Sequence, residues 1–421
     1  MSVPVAPASA ISRDETTGGR VVRLLTLSTL FPNPCQPVHG IFVETRLRHL
    51  LASGRATARV VAPVPWFPSG RACFGRWATY AGVPAREARD GLAIWHPRYP
   101  AIPRFGMSVA PALLYLRLRP VLRRLLDAAP ADLIDAHYFY PDGVAAALLG
   151  REFGLPVVIT ARGTDLNLIP AHPLPRAQIA WAARQAAACI TVCAALAEPL
   201  RALGVPESKL IVLRNGVDLA RFRPQDRTAA RAGLGLAGPT LLSAGQLIER
   251  KGHHLIIDAL AALPGFRLLI AGGGPDREAL AARADRAGVA DRVRFLGELP
   301  QADLPRVYSA ADALVLASSR EGWANVLLES MACGTPVVAT NVWGTAEAVT
   351  APAAGLLVGE RSAASLADGI ARLFAALPDR AATRRYAEGF SWQDTTQGQL
   401  DLFDRVLATA ALQADRRPVP A

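Results

Sequence analysis

Two glutamates with seven residues between them, in Glu321-Gly-Trp-Ala-Asn-Val-Leu-Leu-Glu329, are the strongest chemical signal in the chain. The segment follows a short β-rich run at 313–316 and opens into an apolar helical stretch that ends at Gly334. Glu329 falls among Val326, Leu327, Leu328, Met331 and Ala332, so burial is expected, and an ionised buried carboxylate needs hydrogen-bond donors. The vicinal diol of a ribose supplies two. Glu321 is expected at the C-terminal edge of a sheet, open to sugar hydroxyls. Gly322 and Asn325 stand where the helix begins, and the free N–H groups there suit a diphosphate. Taken alone, such a pair reads equally as a core residue and a helix-start charge.

A second signal is Ser243-Ala-Gly-Gln246-Leu-Ile-Glu-Arg250-Lys251-Gly252, a strand end, a loop and the start of a helix. Lysine occurs only at Lys209 and Lys251 in a chain that otherwise uses arginine. Cations beside the positive end of a helix repel it, so Arg250 and Lys251 make sense with an anion between, Lys251 acting as a point charge. A solvated surface pair is the alternative for this segment in isolation. Glycine loops at 272–274, including Gly273, and at 341–347 also follow strands, and glycine lets backbone approach a ligand closely.

These residues need two sheets to position them. Short apolar runs at 21–29, 58–62, 133–136, 157–160, 189–192 and 210–213 alternate with helical patterns, and the pattern restarts at 239–245, 266–271, 293–296, 313–316, 336–339 and 355–358. Such alternation predicts α/β architecture, with two doubly wound parallel sheets in separate domains. A length of 421 residues suits two cores. The expected organisation is a loose extension over 1–20, a first domain over 21–218, a second over 219–390, and over 391–421 a helix crossing back to the first domain, then a tail.

Formal charge is +11 and the pI about 10.1, which fits an acidic substrate or an anionic membrane surface. The arginines lie along helices without interleaved aromatics, which argues against nucleic acid. A helical stretch at 113–126 carries Arg117, Arg119, Arg123 and Arg124 among leucines and suits either peripheral contact with such a membrane or, equally, a packed helix with a solvated face, and Pro120 is expected to interrupt it. No apolar run of membrane-spanning length and no signal peptide is evident, so a cytoplasmic protein is expected. Cys35, Cys73, Cys189, Cys193 and Cys333 are scattered and read as reduced core thiols.

The chain after about residue 20 resembles the retaining glycosyltransferases of family 4, which have the GT-B fold of two facing Rossmann-like domains with a deep cleft between them. The resemblance rests on the two glutamates with the following Met331-Ala-Cys-Gly-Thr-Pro-Val-Val-Ala339, on the Lys251-Gly252 loop, on Gly272 to Pro275, and on Asn215-Gly-Val-Asp218. It implies that Glu329 binds the donor ribose, Glu321 the transferred sugar, Lys251 the diphosphate, and the backbone around Phe295 and Gly297 the base. The family commonly has an arginine where Gln246 stands, so Arg250 is left to supply a second cation. In the first domain the resemblance gives His137, in Asp135-Ala-His137, an active-site role, and makes Gly40, Arg162 and Asp165 acceptor-side elements. The implied donor is a UDP- or GDP-sugar and the acceptor a lipid-linked or oligosaccharide hydroxyl in cell-surface polysaccharide assembly, with no metal or other cofactor required. A nucleotide-sugar epimerase and a non-catalytic nucleotide-sugar-binding subunit are the alternatives.

Overall fold

The structure, a computed structural model, describes residues 20–101 and 106–415. The extension expected over 1–20 lies outside the described residues except for Arg20, as does the end of the tail. The first ten strands are β1 (Val22–Leu27), β2 (Ala56–Val61), β3 (Val64–Pro65), β4 (Arg86–Arg89), β5 (Leu92–Trp95), β6 (Arg98–Tyr99), β7 (Leu133–His137), β8 (Val157–Ala161), β9 (Ala188–Thr191) and β10 (Leu210–Val212). Six more follow: β11 (Thr240–Ala244), β12 (Arg267–Ala271), β13 (Val293–Gly297), β14 (Ala313–Leu316), β15 (Val337–Thr340) and β16 (Gly355–Val358).

The first sheet has the order β10-β9-β8-β7-β1-β2-β5-β4, parallel except for the edge pair β4 and β5. The second is wholly parallel, in the order β13-β12-β11-β14-β15-β16. Helices bury both faces of such sheets, which is why their strands stand out in the sequence as apolar runs. The segment from 64 to 99 holds four strands outside the runs read from the sequence, and of these only β5 (Leu-Ala-Ile-Trp) is a continuous apolar run. Edge strand β4 (Arg-Glu-Ala-Arg) has no fully buried residue, so no apolar pattern marks it.

Strand order places the chemistry. In the first sheet β1 lies between β2 and β7, and in the second β11 lies between β12 and β14, so the chain leaves each central strand in opposite directions. A crevice opens at the carboxyl ends of strands at such a reversal. The loops after β11 and β14, which carry Lys251 and Glu321, thereby become neighbours.

The two domains meet backbone to backbone. A Cβ added to Gly322 would lie 2.0 Å from the carbonyl oxygen of Arg162, and one on Gly344 would lie 2.2 Å from the carbonyl oxygen of Gly322. Beside this contact Arg214 pairs with Glu347 at 2.6 Å, and Glu347 also accepts from the Ala195 N–H at 3.1 Å. The last helix, Trp392–Asp415, leaves the second domain and buries Leu400, Leu402, Phe403 and Val406 against Val22, Val43, Leu47 and Leu50 of the first.

The helix Ala110–Ala128 runs through Pro120 without a break, against expectation. Its buried stripe, Leu114, Leu118, Leu122 and Leu125, keeps helical spacing, and Pro120 stands on the exposed side, where solvent can take the carbonyl its missing N–H leaves free. Of the cysteines, Cys189, Cys193 and Cys333 are buried as expected, whereas Cys35 and Cys73 are exposed.

Phe403 is fully buried where the last helix meets the first domain. Phe403→Ala is expected to cost about 3–5 kcal/mol, read from urea unfolding. An unchanged midpoint would show that the helix contributes no packing there. Gly322→Ala is expected to hold the domains apart and lower the rate of any chemistry that needs both by about a hundredfold. Scattering should then give a larger radius of gyration than wild type; equal radii and equal rates would refute the close contact.

Candidate functional site

In the second domain the loop after β11 turns through Gly245 and Gly252 to start the helix His253–Ala261. Gly252 has φ 72°, and a Cβ there would lie 2.0 Å from the Ala317 carbonyl oxygen, so glycine alone lets this helix start abut the end of β14. Buried His253 ties the loop down, with Nδ1 2.9 Å from Ser243 Oγ and Nε2 3.2 Å from the Gln246 carbonyl. Lys251 then lies along Gly245 and donates from Nζ to Glu321 Oε1 at 2.5 Å. Ser318 Oγ donates to the same oxygen at 2.6 Å, and Arg250 Nη1 lies 3.6 Å from it.

Glu321 is only 7% exposed, not open to solvent as expected. Burial pushes its carboxyl up, but Lys251 and Arg250 together hold it below the usual glutamate value, so it is ionised. Two donors on one oxygen and a guanidinium close by compensate for desolvation that an unpaired carboxylate would not survive. Gln246 is exposed, and Arg250, which also donates to the Arg320 carbonyl at 2.9 Å, brings the second cation that Gln246 leaves out.

Glu329 departs from expectation in the other direction: it is half-buried on the helix Asn325–Ala332 and lines a pocket with Asn325, Thr45, Phe42, Arg221 and Gln301. Tyr308 O–H donates to Glu329 Oε2 at 2.8 Å. Desolvation pushes the Glu329 carboxyl up to about 7 against the opposing effects of Tyr308 and the Arg221 charge. The two acids therefore occupy unlike settings on either side of one helix start, one held ionised and one poised to titrate.

The glycine loops serve each other before any ligand. Cβ atoms on Gly272 and Gly274 would lie 1.9 Å from the Gly245 carbonyl oxygen and 2.4 Å from that of Leu247, so glycines let two loops touch. Gly273 packs on Glu298 and accepts from the Leu247 N–H at 2.8 Å. Gly297, exposed at φ 74° at the end of edge strand β13, gives its carbonyl to the Gly272 N–H at 2.8 Å. Phe295 takes the Arg277 guanidinium over its ring at 3.7 Å.

On the first-domain side, His137 is 1% exposed and does not face an open cleft. Arg162 Nη2 lies 2.7 Å from His137 Nδ1, and a guanidinium can only donate, so the imidazole proton sits on Nε2, 3.2 Å from Asp135 Oδ2. Burial lowers the histidine pKa, which keeps the ring neutral. Arg162 Nη1 continues to Asn215 Oδ1 at 3.3 Å, and Asn215 Nδ2 donates to Asn325 Oδ1 at 3.2 Å. A polar chain thus runs from His137 to the residue that begins the Glu329 helix.

Asp165 is fully buried and spent on backbone, accepting from the N–H groups of Phe139, Arg162 and Gly163 at 2.7 to 3.2 Å. It shapes the loop and offers nothing to a ligand. Gly40 has φ 67°, and a Cβ there would lie 2.3 Å from the Leu30 carbonyl, so it serves close packing of the loop after β1. Four residues went unread in the sequence as site groups: Ser318, Tyr308, Asn215 and Tyr138. Asn215 stood out only within the Asn215-Gly-Val-Asp218 turn motif, and Ser318 and Tyr308 gave no site signal. Tyr138 holds φ 85°, hydrogen-bonds Thr164 and lies within the field of Arg250 across the cleft. A strained non-glycine residue at a strand end facing the other domain marks a functional position.

Residues 226–390 match the family model "Glycosyl transferases group 1" and residues 77–221 match "Glycosyltransferase Family 4". A D-inositol 3-phosphate glycosyltransferase of Jonesia denitrificans is 32% identical over 361 residues, 77% of this chain and 84% of that protein. The protein of the same name from Actinosynnema mirum is 35% identical over 347 residues, 75% and 83% of the two chains. Among solved structures, sucrose-phosphate synthase from Thermosynechococcus elongatus superposes with a TM-score of 0.73 at 21% identity, covering 92% of this chain and all of that one. Anabaena HepE gives 0.69 at 20% identity, covering 91% of this chain and 100% of the other. With two facing Rossmann-like domains, paired matches to both halves and relatives this similar over most of their length, the chain belongs to the glycosyltransferases of family 4 and group 1, with the GT-B fold.

Proposed function

We propose that the protein transfers a sugar from a nucleoside-diphosphate donor to an acceptor hydroxyl with retention of anomeric configuration, using the charges of Lys251 and Arg250 in place of a metal ion. The convergence of Lys251, Arg250 and Ser318 on Glu321 at the sheet's reversal point carries this reading. A diphosphate entering beside the helix start meets two cations already held in place, so little reorganisation is left for the moment of reaction. Glu321 keeps Lys251 charged and aimed, and on donor binding it turns to the hydroxyls of the transferred sugar. Glu329 takes the ribose diol.

The bond from the anomeric carbon to the leaving phosphate oxygen breaks while the acceptor oxygen bonds to the same face of that carbon. The acceptor proton passes to the departing phosphate, so no separate base is needed. Arg162, His137 and Asn215 act by holding the first domain against the Glu329 helix, and Tyr138 faces Arg250 across the cleft. Anabaena HepE has been solved with UDP and with UDP-glucose, which makes UDP the first nucleotide to try. The acceptor in this reading is a lipid-linked saccharide at the cytoplasmic face of the membrane. A soluble inositol phosphate, named in the relatives at 32 and 35% identity, is the second.

Lys251→Ala is expected to lower transfer by about a hundred- to a thousandfold. Its melting temperature should drop modestly, since Glu321 loses its closest ionic partner while Ser318 still donates to it and Arg250 stays nearby. Wild-type turnover would remove Lys251 from the mechanism, and consumption of donor without any acceptor, giving an isomeric nucleotide sugar, would show an epimerase.

Glu329 yields a pH prediction. Its folded pKa of about 7 lies above the usual glutamate value, so below pH 7 the ligand-free carboxyl is protonated. A ribose diol donates both its hydrogen bonds, so the ionised form binds it better. Nucleotide binding near pH 6 should therefore release a proton, and affinity should rise with pH and level off above 7. Calorimetry of UDP-glucose, whose esterified diphosphate carries no proton near pH 6, in buffers of different ionisation enthalpy reads that proton, and Glu329→Gln should abolish it. Identical heats in all buffers would rule out this role for Glu329.

A further inference from the structure

Away from the cleft, a groove runs between the helix Ala110–Ala128 and the edge of the first sheet, beside β5 and β6. Trp95, Pro97, Val121 and Leu125 give it an apolar floor. Arg86, Arg98, Arg117 and Arg124 line it, and among the described residues no carboxylate does.

The four arginines are not equivalent. Arg98 is spent on the carbonyls of Tyr80, Ala81 and Val83, at the end of the preceding helix. Arg86 lies over the Trp95 ring at 5.0 Å, Arg117 donates to the Arg98 carbonyl at 2.6 Å, and Arg124 to that of Pro120 at 3.2 Å. Those three keep exposed guanidinium groups with no acidic partner among the described ion pairs. The other two arginines of this helix, Arg119 and Arg123, pair with Glu152 at 2.6 and 3.1 Å on the far side.

Between the two arginine rows the helix shows water an apolar line. Val109, Ala112, Leu116 and Pro120 recur at helical spacing and are all exposed, Leu116 by 61%. A second apolar edge adjoins it. Trp66, 57% exposed, is tied by its N–H to the Tyr99 carbonyl at 2.7 Å, next to Arg98, and Phe74, also exposed, packs on Phe67. Large apolar side chains rimmed by cations on one face of a domain mark an interaction surface rather than scattered exposure.

We propose that this face docks on an anionic bilayer, with a lipid phosphate held by Arg86, Arg117 and Arg124 in the groove and with Trp66 and Leu116 entering the headgroup layer. Charge complementarity selects an anionic partner, since the groove is lined by cations without a carboxylate. The apolar floor and apolar line select an amphiphile over a free anion, because a soluble phosphate would leave them in water. The inference extends the membrane-side acceptor reading above. It is read without donor or acceptor, so its failure would leave the transferase assignment standing.

The test is co-sedimentation of the full chain with phosphatidylcholine vesicles, with and without phosphatidylglycerol. Binding is expected only with phosphatidylglycerol. Reversing three charges in Arg86→Glu, Arg117→Glu and Arg124→Glu together should weaken it by roughly a hundredfold, at about 1 kcal/mol for each arginine near the surface. Trp66→Ser should weaken it further and make the residual binding more sensitive to salt. UDP affinity and melting temperature, measured alongside, should stay at wild-type values and so exclude misfolding. Equal binding to both kinds of vesicle, or undiminished binding by the triple variant, would overturn the proposal. So would thermal stabilisation by inorganic phosphate through the same arginines without vesicle binding, which would make the groove a site for a soluble anion.

Discussion

A single carboxylate, Glu321, sits in a nearly dry position and stays ionised because two hydrogen-bond donors and a second cation converge on it. Much of the second domain can be understood as what that convergence requires. The strand order must bring the loops after β11 and β14 side by side, the helix after Gly252 must start against the end of β14, and His253 must hold the intervening loop. Loss of any of these would leave a buried charge uncompensated, which is costly enough to reorganise the site. The same arrangement leaves Lys251 and Arg250 fixed at the mouth of the crevice, which is the electrostatic preparation that departure of a diphosphate demands.

The second domain is joined to the first by contacts that tolerate little variation. Glycine backbones touch at Gly163, Gly322 and Gly344, and a buried polar chain passes from His137 through Arg162 and Asn215 to Asn325. A buried chain of this kind has directional bonds, so it specifies one relative placement of the domains where apolar packing alone would accept several. His137 belongs to this chain, and its ring nitrogens face Arg162 and Asp135. It therefore supports the cleft from beneath, while Tyr138, the next residue, holds the strained backbone that faces the other domain.

The arginine excess is distributed by use. Arg46 and Arg162 are buried and lend hydrogen bonds to the interior, with guanidinium pKa values pushed down by desolvation to about 10 and about 9. Arg384 and Arg380 brace the carbonyls around the Glu329 helix and its strand. Arg86, Arg117 and Arg124 remain on the surface beside an apolar line. Net charge alone could not separate these roles, because each depends on what faces the guanidinium.

Apolar periodicity and glycine placement determined the two parallel sheets and the loops that bear the chemistry, since strands buried on both faces must be apolar whatever surrounds them. The pairing of Glu321 and Glu329, the isolated Lys251 and the turn at Asn215 were likewise legible, because they are local in the chain. Strands β3 to β6 were not, since β3 and β6 are two residues long, β4 is mostly charged, and β5 offers only four apolar residues. Nor was the exchange of settings between the two acids: Glu321 is met by Lys251 and Arg250 arriving from another segment, and Glu329 is opened by a pocket shared with the first domain. Burial, tautomer and charge state are properties of neighbours distant in sequence. Only the tertiary structure brings those neighbours together, and only it could decide them.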